Sequence, residues 1–108
     1  MLCQNCRVAD NALTRMKGLL GRDSLNEDEG LLIVPCSSIH MIGMKFPLDI
    51  VFITRENIVT DYVENIVPGK CYISQKHHGK AHAALEMTAG TIAKNTLERG
   101  DQLEIPPF

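Results

Sequence analysis

The segment that most constrains the fold is Leu48-Asp-Ile-Val-Phe-Ile53. With one polar member, this run is apolar on both faces when extended. A strand apolar on both faces belongs in a protein core. The flanking residues supply its boundaries. Pro47 precedes it. Arg55-Glu56-Asn57 reads as a hairpin turn in which Asn57 can adopt positive φ. Ile58 to Val67 reads as the return strand, ended by Pro68-Gly69.

The rest of the chain alternates short strands with turns. Residues 2–9 predict a strand. Asp10 or Asn11 can cap a helix running to about Leu20, with Leu13, Met16, Leu19 and Leu20 on one stripe and Gly21 as its stop. Leu31 to Val34 predicts a buried strand closed by Pro35. Further short strands are predicted at Cys71–Ser74, Ala83–Met87 and Leu103–Ile105, and a second short helix at Thr91–Leu97. Many short strands, two short helices and no regular βαβ alternation predict a mainly-β fold. The expected form is a compact β-sandwich or a partly closed barrel.

Length and composition narrow the function classes. A chain of 108 residues is expected to be one domain, able to bury about 65% of its unfolded surface without metal or disulfide support. A formal charge of −2 argues against general nucleic-acid binding, which favours basic surfaces. No stretch of 18 apolar residues suggests a transmembrane helix, and the first ten residues lack the pattern of a secretory signal. The four scattered cysteines, Cys3, Cys6, Cys36 and Cys71, read as free thiols in a reducing compartment. The expectation is a cytoplasmic monomer with no cofactor.

An ordered set of short motifs spans residues 7–105. It comprises Arg15-Met-Lys-Gly-Leu-Leu-Gly-Arg22, Gly30-Leu-Leu-Ile33, Met44-Lys45 followed by Pro47-Leu-Asp-Ile-Val-Phe52, Leu85-Glu86 with Ala89-Gly90, and Gly100-Asp101. On these residues the chain resembles the domain-of-unknown-function 192 family of small bacterial and archaeal proteins. The resemblance implies a β-sandwich-like fold and carries no catalytic residues to transfer. Many relatives have a secretory signal ahead of this domain, an aromatic before the Met-Lys pair and an Asn after it. Here Gly43 and Phe46 flank that pair.

Polar residues set among apolar ones are the candidate site. Cys36, His40, Lys45 and Asp49 fall within the largely apolar stretch from Pro35 to Ile53, and Glu86 within another apolar run. They are the expected ligand-binding residues of a cleft near residues 39–49 that takes a small molecule or a peptide. Lys45 would anchor an anion and a carboxylate would act as a base. Structural roles compete with this reading. Asp49 can satisfy backbone N–H groups near Pro47, and Glu86 can pair with a basic residue of the first helix.

Two alternatives use other chemistry. A thiolate–imidazole pair of Cys36 and His40, with Asp49, would make a small enzyme. Four residues of extended strand span about 13 Å, so that pair requires a bend at Cys36-Ser37-Ser38. Cys3-x-x-Cys6 resembles half of a zinc site, making a metal-binding module the third possibility, although no second paired spacing exists and no metal is expected. The segment from Pro68 to His82 carries Lys70, Lys76, His77, His78, Lys80 and His82 with no carboxylate. It reads as a solvated loop or a local anion-binding patch.

Overall fold

The computed structural model describes the backbone of residues 5–9, 24, 29–75 and 79–104, and the side chains of 24, 30–75 and 79–104. The strands are β1 (Asn5–Ala9), β2 (Glu29–Ile33), β3 (Ser38–His40), β4 (Leu48–Ile53), β5 (Val59–Ile66), β6 (Cys71–Ile73) and β7 (Ala83–Thr88). The single helix among the described residues is α1 (Thr91–Lys94). The helix expected over residues 11–20 lies outside the described residues.

β4 behaves as its composition demands. All six of its residues are buried, Asp49 included. It lies between β7 and β5 in a five-stranded sheet of order β1-β2-β7-β4-β5. β1 and β2 run parallel and the other neighbours antiparallel. The β4–β5 turn is the expected hairpin. Asn57 has φ 63°, and the Thr54 hydroxyl accepts from the N–H groups of Glu56 and Ile58.

β3 and β6 form a second, antiparallel sheet of two strands. It covers one face of the large sheet. Ile39 and Tyr72 pack with Leu31, Ile33, Leu48, Ile50 and Phe52 there, and the Phe52 and Tyr72 rings stack at 5.9 Å. The opposite face buries Leu32, Val51, Ile53, Leu85 and Met87 beneath Ile92 of α1, Leu97 and Leu103. The two sheets do not close on each other, so the architecture is an open sandwich and not a barrel.

Two sequence expectations change. The helix expected over Thr91–Leu97 is one turn, ending at Lys94. Leu103 and Glu104 do not form a strand. Gln102 makes an isolated bridge to Ile58, and the Leu103 N–H donates to the Asn57 carbonyl. A leucine that needs burial at this face gets it from a short loop contact, without a ladder. Ile105 lies outside the described residues.

β5 carries the irregularities that shape the sandwich edge. Its register with β4 slips between the Leu48 and Ile50 rungs and again between Phe52 and Ile53. Each slip inserts an unpaired residue and re-aims its neighbours. At the first slip Asn65 takes φ 50°, a conformation that asparagine tolerates better than most residues.

Candidate functional site

The alternation of β4 separates the expected site residues. Ile50 belongs to the core cluster under the small sheet, and Asp49 points the other way. One carboxylate oxygen of Asp49 accepts from the Asn65 N–H at 2.8 Å. The other accepts from the N–H groups of Gly90 at 3.0 Å and Ile92 at 2.9 Å. Asp49 therefore holds the bulge of β5 and the start of α1 against the sheet. Satisfying backbone N–H groups is the structural role weighed for it, but the partners sit at Asn65, Gly90 and Ile92 and not near Pro47.

Glu86 lies on the face covered by the small sheet. It pairs with Leu31 across β2 and with Ile50 across β4, both members of the core cluster. The residue is 8% exposed and its carboxyl has no hydrogen-bond or ion-pair partner among the described residues. Sealed oxygens without a partner are absent among the described side chains. The Glu86 carboxyl oxygens therefore still reach solvent, at the end of a side chain otherwise held in apolar surroundings. Burial pushes this carboxyl up to about 7, because a low-dielectric setting disfavours the charged form. The first helix, expected to supply a basic partner, lies outside the described residues.

Met44 and Phe46, from the loop between β3 and β4, pack half-buried against the same cluster. Lys45 between them is exposed. Glu86, Met44, Phe46 and Lys45 thus belong to one side of the large sheet and the loop that borders it.

His40 and Cys36 are not arranged as a pair. Cys36 sits in a bend before β3, half-buried against the core cluster, and its thiol donates to the Ser38 carbonyl at 3.0 Å. His40 is exposed on the outer side of β3, and its cross-strand partner is Cys71. The five expected residues do not converge on one cavity.

A further polar cluster, centred on Asp61, was not among the sequence expectations. Asp61, fully buried in β5, accepts from the Tyr72 hydroxyl at 2.6 Å, the Gln75 N–H at 2.8 Å and the Arg99 guanidinium at 3.0 and 3.2 Å. Arg99 also lies over the Tyr62 ring, 4.8 Å from its centroid. Burial alone would raise the Asp61 carboxyl. The hydrogen bonds outweigh burial and hold it below the usual carboxylate value. Burial, reinforced by Asp61, pushes the Tyr72 hydroxyl up to about 12. The cluster clamps β6 and the chain after α1 to the sheet edge. An aspartate inside Val59-Thr-Asp-Tyr-Val63 was the available signal.

Among the described residues no three His, Cys, Asp or Glu side chains gather as a metal site. Cys3 and the Cys6 side chain lie outside the described residues. No described helix is long and apolar enough to cross a membrane.

The molecule is thus an open sandwich of a five-stranded and a two-stranded sheet, with a solvent-reaching carboxyl set in the core face between them. The chain belongs to the DUF192 family, described as an uncharacterized ACR, whose model matches residues 2–105. It is similar to the crystal structure of a protein of unknown function from Novosphingobium aromaticivorans DSM 12444. That likeness has 27% identity and a TM-score of 0.78, and covers 93% of this chain and 74% of the other. It is also similar to the crystal structure of a candidate transcription regulator from Sinorhizobium meliloti 1021. There the identity is 26% and the TM-score 0.78, over 92% of this chain and 79% of the other. No curated protein matches the chain.

Proposed function

We propose that the chain is a small binding domain whose cleft lies between the β4–β7 face and the loop of residues 41–47, with Glu86 as its polar anchor. The observation that carries this reading is Glu86 itself, a carboxyl held in apolar surroundings, without a partner among the described residues and still reached by solvent. Burying an unpaired carboxyl costs stability, so its presence at this place calls for a compensating use. Met44, Phe46, Ile50 and Leu31 supply the apolar surroundings. The fitting ligand is a small molecule or a peptide side chain with an apolar body and a hydrogen-bonding or cationic head. Protonated Glu86 donates to a carbonyl; ionised Glu86 takes an amine. Near pH 7 both forms are available.

A catalytic set of Cys36, His40 and Asp49 has less support, since Asp49 is committed to three backbone N–H groups. We place the protein in the cytoplasm, a reading supported by the exposed thiol of Cys71.

The test is a panel of small aliphatic and aromatic amines and amides, followed by NMR shift perturbation on wild type and Glu86→Gln. The expected outcome is binders that move the resonances of Met44, Phe46 and Ile50 and lose affinity in the variant. Equal binding to Glu86→Gln, or shifts confined to other surfaces, would overturn the reading.

A further inference from the structure

A second feature lies beyond the Ile33–Ala84 rung of the large sheet, where β2 ends. Pro35, Cys36, Ser37, Ser38, Lys80 and Ala81 line an open depression of about 400 Å³. Its chemistry is one-sided. Among the described residues the lining offers an ammonium group, a thiol and two hydroxyls, and no carboxylate. Lys80 is exposed and has no ion-pair partner among the described residues. The sequence around it is equally one-sided, since no Asp or Glu occurs between Asn65 and Leu85.

The walls of this depression are tied together. The Cys36 N–H donates to the His82 carbonyl at 2.9 Å, and the His82 N–H donates to the Ile53 carbonyl of β4 at 2.8 Å. On the other side of Lys80, the Gly79 carbonyl accepts from the hydroxyl of buried Thr60. Gly79 has φ +112°, and a Cβ there would meet Thr54 Cγ2 at 3.2 Å. Backbone anchors therefore hold Lys80 from both sides. A cation whose backbone is held at the rim of a cavity needs less ordering to meet an anion there than one on a free loop, which favours binding.

We propose that this depression is a binding site for a small oxyanion, a carboxylate or a phosphoryl group, seated on Lys80 and the hydroxyls of Ser37 and Ser38. The Cys36 thiol in its lining makes occupancy readable. Iodoacetate and iodoacetamide alkylate a thiolate by the same step, in which the sulfur–carbon bond forms and iodide leaves. They differ in that iodoacetate carries a carboxylate. Labelling is read site by site by mass spectrometry, with Cys71 in the same sample as the internal reference.

At low ionic strength, the iodoacetate-to-iodoacetamide rate ratio at Cys36 should exceed that of Lys80→Gln by about fivefold, the size of one solvent-exposed charge interaction. Lys80→Arg should restore the ratio. In wild type alone, millimolar inorganic phosphate or acetate should slow iodoacetate labelling of Cys36 more than iodoacetamide labelling, lowering the ratio. Suppression by phosphate only assigns a phosphoryl ligand, and suppression by acetate only assigns a carboxylate. Equal ratios in wild type and Lys80→Gln, or no suppression by either anion, would overturn the proposal. None of these readouts depends on Glu86.

Discussion

Two buried carboxylates in this chain have opposite energetics, and both differences are testable at single residues. Asp49 gathers three backbone N–H groups from two separate segments. Asp49→Ala strands those donors in a site with no exposure and is expected to destabilise by about 3–5 kcal/mol in urea denaturation. Glu86 has no such compensation among the described residues. Its carboxyl titrates near 7 in the folded chain against 4.5 in the absence of burial. The folded state therefore holds more protons between those values, and stability falls as pH rises through that window. Below it both states are protonated and the cost vanishes. The full loss above it is about 3 kcal/mol. Glu86→Gln should flatten this slope and exceed wild type in stability at pH 8. A wild-type stability that rises from pH 5 to pH 8 by an amount Glu86→Gln abolishes would refute the assignment.

At the scale of elements, an aromatic contact and a polar clamp join the apolar packing of Ile39 in holding the two sheets together. Phe52 is fully buried and stacks on Tyr72. Phe52→Ala removes the ring at the centre of the interface and should cost about 3–5 kcal/mol. Tyr72→Phe keeps the stack and deletes only the hydroxyl that reaches Asp61. The expected loss is about 1.5–3 kcal/mol, as for a hydrogen bond to a charged group. In Asp61→Asn the same Tyr72→Phe change should cost clearly less, because the charge-assisted partner is gone. An equal loss in both backgrounds would show that the hydroxyl acts elsewhere. Asp61 is held below the usual carboxylate value, so its contribution is present at neutral pH and is lost as pH falls through its folded value.

Over the whole molecule, the small sheet is the element least able to stand alone. Two strands of three residues are marginal without a partner layer, and β3 and β6 are ordered by Ile39, Tyr72 and the Asp61 clamp. The two layers should therefore unfold together. Near-ultraviolet dichroism reports Tyr72 and Tyr62 in a chain without tryptophan, and far-ultraviolet dichroism reports the strands of both sheets. The two thermal transitions should coincide. A tyrosine signal lost well before the far-ultraviolet signal would show that the small sheet detaches independently.

The sequence by itself determined the elements whose signal is local. Leu48–Ile53 could only be a core strand, Asn57 could adopt the turn conformation beside it, and Pro68-Gly69 ended the return strand. The family was legible because its motifs recur in order along the chain. The side to which each polar residue points was decided by tertiary structure. Asp49 and Glu86 both interrupt apolar runs, and nothing local distinguishes them. Register places Asp49 beneath the bulge and the helix start, while Glu86 faces the small sheet beside Ile50. The Asp61 clamp joins residues separated by 11 and 38 positions. The depression at Cys36 is completed by Lys80 from a segment that reads, by sequence, as a solvated loop or a local anion-binding patch, with nothing local to say what it packs beside. Such contacts depend on strand order and register, which pairing between distant segments sets and no short window encodes.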